Sequence, residues 1–263
     1  MLKLEVDGRE PSVGQLRDAA LDSYGHFTAM QVRGRRTRGL GLHLARLDAA
    51  NREVFGAPLD GEHVRALMRH ALEGGGGDAS VRVIVRAGGA GAADGVDAPV
   101  RVFVAVRPPY EMPGTAQRLK SVPYVRAVPH IKRPGDFGQG FYIDRAADAG
   151  YDDALLVGPD GTVAEAGIAN IAFHDGHGVV WPDAPVLAGI TMQLVAPRTT
   201  EHGMPSRTAR VSLADVPGFA GVCVTNSRGV APVERIDDTP MPSAPGFVKA
   251  MRDAYESVPW DEI

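Results

Sequence analysis

The sequence has 263 residues, enough for one large domain or two small ones. Apolar residues make up 44% and charged residues 23%, as in ordinary soluble globular proteins, and the net charge of −4 gives no reason to expect nucleic acid or an anionic membrane as a partner. No apolar run approaches the roughly 20 residues that span a bilayer, and the N-terminus has no apolar signal core. Cys223 is the only cysteine, which excludes an internal disulfide and fits a reducing cytoplasm.

The first half of the chain predicts a small α/β domain over residues 1–108. Apolar periodicity and turn residues indicate a strand at 2–6, a hairpin of 27–32 and 38–42 turning at Gly34, helices at 42–55 and 62–72, and strands at 80–85 and 100–106. A Gly/Ala-rich loop is expected at 87–95. The prolines of residues 109–116 then predict an interdomain linker.

The second half, residues 117–263, predicts a larger domain with an antiparallel β-rich core, and the whole chain therefore falls in the α+β class. The expected elements are strands at 117–122, 154–157, 162–163, 168–173, 179–181 and 221–225, and helices at 140–150, 191–202 and 247–255. Asp-Gly turns at 160–161 and 175–176 predict that the strands from 154 to 181 form an antiparallel meander. We expect Gly150 to be left-handed, and Pro197 to kink or shorten its helix.

Several common site motifs are absent from the sequence. It contains no phosphate-binding P-loop motif, no G-x-G-x-x-G between a strand and a helix, no G-x-S-x-G elbow and no H-E-x-x-H. His174 and His177 flank an Asp-Gly pair that the turn itself requires, so no metal site is predicted.

Lys132 is the first candidate for chemistry. It follows an apolar residue and precedes Arg133 and Pro134, so we expect it at the end of a strand, aimed into a cavity. Burial would lower the pKa of such a lysine and free its amine to attack a carbonyl. The alternative is an ordinary solvated lysine.

Glu165 and two polar segments complete the set of candidates. Glu165 stands among small residues just before a predicted strand, where it either pairs with a cation such as a protonated pyridine nitrogen or lies exposed at a hairpin end. Ile190 and Thr191, after Gly189, open a helix whose N–H groups suit a phosphate, although an ordinary capped helix has the same pattern. Residues 225–227 (Thr225, Asn226 and Ser227) follow a buried strand and either close the phosphate site or form a plain loop.

The order of these segments resembles the class IV (fold-type IV) aminotransferases, which use pyridoxal 5′-phosphate (PLP). The matching motifs are Leu42-His-Leu-Ala-Arg46-Leu, His130-Ile-Lys132, Gly161-Thr-Val-Ala-Glu165 with Asn170, Ala188-Gly-Ile-Thr191, and Thr225-Asn-Ser. The class includes branched-chain aminotransferases, D-amino acid aminotransferases and 4-amino-4-deoxychorismate lyases. The resemblance covers roughly residues 20–237 and implies a two-domain fold like that of the D-amino acid enzymes.

The resemblance also implies roles for individual residues. Lys132 forms the Schiff base with PLP and moves the substrate proton, while Glu165 holds the pyridine nitrogen. Arg46 binds the phosphate with its planar guanidinium, unless it forms a surface ion pair with Asp48 or Glu53. The backbone N–H groups of Ile190 and Thr191, with Thr225, Asn226 or Ser227, complete the phosphate site.

The substrate residues follow the family less closely. Phe27 stands where the D-amino acid enzymes have a tyrosine, and Arg86 matches an arginine that the family places over the site; a strand-end charge facing water is the alternative for Arg86. Phe137 replaces the tyrosine that branched-chain enzymes carry five residues after the lysine, which leaves Tyr142 as a candidate for that hydroxyl. The segment from Arg133 to Gly140 also departs from the family pattern.

We therefore expect a transaminase that acts on a small amino acid and a 2-oxo acid. β-Elimination of the 4-amino-4-deoxychorismate lyase type, which uses the same lysine, and a non-catalytic relative are the alternatives. Because sites of this family are built between two subunits, the resemblance also implies a homodimer.

Overall fold

The computed structural model describes residues 3–88, 100–201 and 203–263. Contacts between Cα atoms divide the chain into two units, each with its own sheet. The first unit comprises the chain up to Tyr110 together with Ile131–Gly135 and Pro259–Ile263. The second unit comprises Glu111–His130 and Asp136–Val258.

The first unit is built on an antiparallel four-stranded sheet. Its elements are β1 (Lys3–Val6), α1 (Val13–Leu21), β2 (Gly25–Val32), β3 (Arg36–Arg38), α2 (Leu40–Phe55), α3 (Gly61–Ala71), β4 (Ala79–Ala87), β5 (Val100–Arg107) and, at the end of the chain, β15 (Trp260–Glu262). The sheet has the order β1-β5-β4-β2, and β15 pairs with β3.

Alternation along β4 gives this sheet one buried face and one half-exposed face. Val81, Val83 and Val85 are fully buried and belong to the same core as apolar residues of α2 and α3. The other face carries Arg82 and Arg86 of β4, because successive side chains of a strand point to opposite sides.

The predicted β2–β3 hairpin is confirmed, with Gly34 and Arg35 both left-handed (φ +55° and +62°), as a two-residue turn requires. The predicted second strand at 38–42 is wrong, because Gly39 is also left-handed (φ +70°) and α2 begins at Leu40. Helix α1 was missed, although its capping box between Ser12 and Gln15 was visible in the sequence. Residue 2 of the first predicted strand and most of the 87–95 loop lie outside the described residues.

The second unit is built on a larger mixed sheet. Its elements are β6 (Gln117–Pro123), α4 (Phe137–Asp148), β7 (Asp153–Val157), β8 (Val163–Ala166), β9 (Asn170–His174), β10 (Val179–Pro182), α5 (Ile190–Glu201), β11 (Ser206–Ala209), a 3-10 helix (Leu213–Gly218), β12 (Gly221–Asn226), β13 (Gly229–Ile236), β14 (Thr239–Pro240) and α6 (Pro245–Glu256). The strand order is β11-β10-β9-β12-β13-β6-β7-β8, and β14 pairs with β13. The sheet curls, so that Val163 N donates to Val211 O at 2.8 Å.

The α+β class is confirmed, and the larger sheet adds parallel pairs to the antiparallel core, since β6 runs parallel to β7 and β13. The continuous meander is wrong. The pairs β7–β8 and β9–β10 form as predicted, but β9 pairs with β12 on its other side. Strand β12 is buried along almost its whole length, so it needs a hydrogen-bonding partner on each edge and takes β9 and β13.

The helices of the second unit largely follow the sequence. Helix α4 begins earlier than predicted, after its N-cap Asp136, and Gly150 is left-handed (φ +82°) as expected. Helix α5 continues past Pro197 to Glu201, so the proline does not end it; residue 202 lies outside the described residues. Within the described ranges, no helix is both long enough and apolar enough to cross a membrane.

Candidate active site

Lys132 lies in a loop of the first unit. The prediction of a strand end is wrong: the stretch from Ile131 to Gly135 forms no strand, because Pro134 removes a backbone donor and Gly135 is left-handed (φ +67°). The loop is nevertheless tied to β2, since Phe27 N donates to the Lys132 carbonyl at 2.7 Å. The Lys132 ammonium lies 5.0 Å from the centroid of the Phe27 ring.

A cluster of cationic and polar groups accompanies Lys132 in this unit. The Arg46 guanidinium donates to Thr28 Oγ1, and that oxygen lies 2.6 Å from Nδ1 of the buried His43. Burial, with the charges of Arg46 and Lys132, lowers the pKa of His43 well below its ordinary value, so the imidazole is neutral. The Thr28 hydroxyl thus shares one hydrogen bond with the neutral His43 ring and accepts another from Arg46.

Arg46 itself has an unmet hydrogen-bonding need. Its Nε is buried without a hydrogen-bond partner among the described residues, and burial lowers its pKa to about 10. The alternative ion pair with Asp48 does not form, since Asp48 accepts instead from Arg52 at 3.0 Å and from Leu59 N at 2.8 Å. An anion at the Arg46 guanidinium would satisfy this donor.

Glu165 lies within β8 of the second unit and is buried, with only 5% of its surface exposed. This excludes the exposed hairpin-end alternative. Arg126 Nη1 donates to Glu165 Oε1 at 3.2 Å, and Leu187 N approaches Oε2 at 3.4 Å. The sequence analysis missed Arg126, because a single arginine six residues before Lys132 belongs to no pattern that marks it.

The segment before α5 is held in place by the same region. Asn170 Nδ2 donates to the Leu187 carbonyl at 2.8 Å, and a side chain at Gly189 would overlap Asn170 Oδ1. Helix α5 then begins at Ile190, so that Ile190 and Thr191 contribute N–H groups without intrahelical partners. These contacts fix the loop that leads into the N-terminus of α5.

The start of α5 meets the turn between β12 and β13. Thr191 Oγ1 donates to the Asn226 carbonyl at 2.7 Å, and Asn226 Oδ1 accepts from Arg228 N at 2.9 Å; Ser227 lies in the same turn. The neighbouring Thr225 hydroxyl is buried and has no hydrogen-bond partner among the described residues. The predicted residues 190, 191 and 225–227 are thus brought together around helix N–H groups and one unmet hydroxyl, which suits a phosphate.

The predicted substrate residues lie on the half-exposed face of the first sheet. The Arg82 guanidinium lies 4.8 Å from the Phe27 ring centroid, whereas Arg86 donates to the Asp22 carbonyl. The sequence analysis missed Arg82. Because every second side chain of a strand lies on the same face, the spacing of Arg82, Ile84 and Arg86 in β4 already placed all three together.

The described residues contain no group of three or more His, Cys, Asp or Glu that could hold a metal ion. The turn at Asp175 has a backbone explanation, since its carboxylate accepts from His177 N at 2.9 Å and Gly178 N at 2.8 Å.

Comparison with known proteins assigns this chain to a family. The model of the class IV aminotransferases matches residues 25–236, and the chain belongs to that family. Among curated proteins, no sequence matches the chain significantly.

Solved structures share the fold at low sequence identity. A branched-chain aminotransferase from Thermoproteus uzoniensis, solved with norvaline, is 18% identical, with 97% of this chain and 93% of that chain covered and a TM-score of 0.84. A candidate 4-amino-4-deoxychorismate lyase from Legionella pneumophila is 19% identical, with coverages of 92% and 94% and a TM-score of 0.80. A hypothetical aminotransferase from Mycobacterium tuberculosis, in its PLP-bound form, is 19% identical, with both coverages at 97% and a TM-score of 0.81. At these identities, the likeness concerns the fold.

Proposed function

We propose that this chain is a PLP-dependent aminotransferase that transfers the amino group of a small amino acid to a 2-oxo acid, with PLP attached covalently to Lys132. The observation that carries the proposal is the buried, unsatisfied hydroxyl of Thr225 beside the turn that meets the start of α5. A buried hydroxyl without a partner is costly, and a phosphate oxygen would satisfy it together with the N–H groups of Ile190 and Thr191.

Lys132 is the best candidate for covalent attachment among the four lysines of the sequence, at positions 3, 120, 132 and 249. Lys120 and Lys249 are hydrogen-bonded to Asp237 and Asp253, which raises the pKa of each ammonium. Lys3 pairs with Glu5 at 2.7 Å. Lys132 lies close enough to the buried His43 for its charge, like that of Arg46, to lower the pKa of that imidazole, which places it within the polar cluster of the first unit.

The proposal assigns a distinct task to each further residue. When bound, PLP supplies an electron-poor ring that stores the electron pair released at Cα of the amino acid. Lys132 Nζ, released from the cofactor when the substrate amine takes its place, would take the proton from Cα and deliver it to the cofactor carbon to which the lysine had been bound. Arg46 and the α5 residues hold the phosphate, and the Glu165 carboxylate holds a proton on the ring nitrogen.

The half-exposed face of the first sheet supports an amino acid as the substrate. Phe27 offers an apolar surface, and Arg82 or Arg86 offers a guanidinium to the substrate carboxylate. We expect Arg82→Gln to raise KM for the amino acid about tenfold with a smaller change in kcat. An unchanged KM in Arg82→Gln, with a raised KM in Arg86→Gln, would assign the carboxylate to Arg86.

A β-eliminating lyase is the second candidate, supported by the fold shared with the Legionella protein at a TM-score of 0.80. Both reactions begin with removal of the same proton by Lys132. Release of pyruvate from aminodeoxychorismate, without amino transfer to an added 2-oxo acid, would favour the lyase.

The experiment that tests the proposed activity uses the PLP-loaded protein and a panel of L- and D-amino acids. We expect at least one amino acid to yield its 2-oxo acid, with the amino group recovered on an added 2-oxo acid. Tight PLP binding without any such product would instead indicate a non-catalytic relative.

We also propose that the protein is a homodimer, as the family resemblance implies. Sedimentation of the PLP-loaded protein should give twice the mass of the 27.8 kDa chain. A single-chain mass at micromolar concentration would contradict this proposal.

A further inference from the structure

Arg126 lies between two buried carboxylates in the second unit. Its guanidinium is 3.2 Å from Glu165 Oε1 on one side and 3.6 Å from Asp136 Oδ2 on the other. The side chains of Arg126, Asp136 and Glu165 are exposed by only 4%, 2% and 7%. Charges so far from water interact strongly, so a change in one of them is felt by the others.

Asp136 is fixed by hydrogen bonds at one of its oxygens and faces the Arg126 charge with the other. Oδ1 accepts from the Tyr124 hydroxyl at 2.7 Å and from Gln139 N at 3.2 Å, as the N-cap of α4, while Oδ2 faces Arg126. Asp136 belongs to the segment from Arg133 to Gly140 that departs from the family pattern. This departure therefore places a second buried carboxylate against Arg126, on the side opposite Glu165.

The arrangement bears on how well Glu165 can hold a cation. A guanidinium against a carboxylate stabilises its charged form and competes for its lone pairs, which weakens its attraction for a second cation. A carboxylate on the far side of the guanidinium offsets part of that charge. Asp136 thus returns to Glu165 some of the negative potential that Arg126 removes.

We propose that Asp136 is a positioning residue that acts through Arg126 to keep Glu165 a strong partner for the protonated ring nitrogen of the cofactor. This inference rests on the proposed function, since it takes Glu165 as the residue that meets that nitrogen.

The test compares PLP with its 1-deaza analogue, in which carbon replaces the ring nitrogen. Asp136→Asn removes the charge but retains an N-cap side chain and an acceptor for Tyr124. We expect this variant to bind PLP about tenfold more weakly than the parent protein and to bind the analogue within about twofold of it. Asp148→Asn, at the exposed end of the same helix, carries the same charge change and should alter neither affinity.

The possible outcomes separate the inference from the proposed function. Equal losses for PLP and the analogue would mean that Asp136 only maintains the fold, and no loss for either would mean that its charge does not reach Glu165; both results overturn the inference. Failure of the parent protein to bind PLP at all would overturn the proposed function as well. Thermal unfolding of the cofactor-free Asp136→Asn variant within a few degrees of the parent confirms that the affinities compare folded proteins.

Discussion

At the scale of single residues, a substitution of Thr225 should affect PLP binding without lowering the stability of the fold. Its hydroxyl is buried without a partner among the described residues, so replacing it with a methyl group removes an unsatisfied polar atom. We expect Thr225→Val to leave the cofactor-free protein as stable as the parent, or more stable by up to about 1 kcal/mol, while weakening PLP binding about fivefold or more. Thermal unfolding of the cofactor-free protein and a PLP titration measure the two effects.

Thr199→Val is the matched control, because Thr199 is equally buried but its hydroxyl donates to the Ala196 carbonyl at 3.0 Å. This variant should lose about 1 kcal/mol of stability and bind PLP normally. If Thr225→Val destabilised the protein like Thr199→Val and left PLP binding unchanged, the hydroxyl would not belong to a phosphate site.

Candidate site residues could be identified from the sequence where a motif marked them. Lys132, Glu165 and Arg46 stand in segments that resemble one family, and the structure gives Glu165 the burial and Arg46 the unmet donor that such roles need. Arg126 and Asp136 were not predictable, since the contacts of Arg126 with Asp136 and Glu165 join residues 10 and 39 positions apart and leave no periodic signal.

At the scale of secondary-structure elements, the loop before α5 depends on the absence of a side chain at Gly189. A Cβ there would overlap Asn170 Oδ1, which lies on the side chain that holds the Leu187 carbonyl. We expect Gly189→Ala to displace the start of α5 and to weaken PLP binding about tenfold. A PLP titration measures this loss.

Gly140→Ala is the control for a glycine with open space around it, since a Cβ at that position in α4 meets nothing within 4 Å. This variant should bind PLP normally and gain up to about 1 kcal/mol from the better helix propensity of alanine. Normal PLP binding by Gly189→Ala would show that the N-terminus of α5 does not hold the cofactor.

Asp153, at the start of β7, predicts a pH dependence of stability. Burial raises the pKa of this carboxyl to about 6, so the folded protein binds its proton more tightly than the unfolded chain. The contribution of Asp153 to the free energy of unfolding therefore falls as the pH rises from about 4 to about 6, by up to about 3 kcal/mol. Relative to the parent, Asp153→Asn should gain stability by that amount between about pH 4 and pH 7, as measured by urea unfolding.

The adjacent Asp152 should show the opposite sign. A hydrogen bond from Arg118 lowers the pKa of Asp152, so its contribution is present at neutral pH and is lost as the pH falls. Asp152→Asn should therefore be less stable than the parent at neutral pH, and this difference should shrink only as the pH falls below about 4. A stability difference between Asp153→Asn and the parent that does not vary with pH would contradict the prediction for Asp153.

Most individual elements follow from local sequence, whereas their pairing does not. Apolar alternation in β4 and the Asp-Gly turns after β7 and β9 identify strands and hairpins. The insertion of β12 beside β9 joins Gly221 to His174, 47 positions apart, and only the need of a buried strand for two partners explains it. The left-handed Gly39 that ends β3 was hidden because glycine tolerates many conformations.

At the scale of the whole molecule, the candidate cofactor-binding residues fall into two sets, one in each unit. The first unit holds Lys132 and Arg46, and the second holds Glu165 with the start of α5 and the Thr225 turn. Membership of the class IV aminotransferase family follows from the match over residues 25–236, and the fold is shared with aminotransferases and with a candidate lyase. The covalent attachment of PLP to Lys132 is the central claim of the proposed function.

Covalent labelling tests that claim most directly. The PLP-loaded protein is reduced with borohydride and digested, and the mass of each lysine-containing peptide is measured. We predict one pyridoxyl group per chain, on the peptide that contains Lys132, and none on the peptides of Lys3, Lys120 or Lys249. A label on one of those three lysines, or no label on a protein that has bound PLP, would contradict the account.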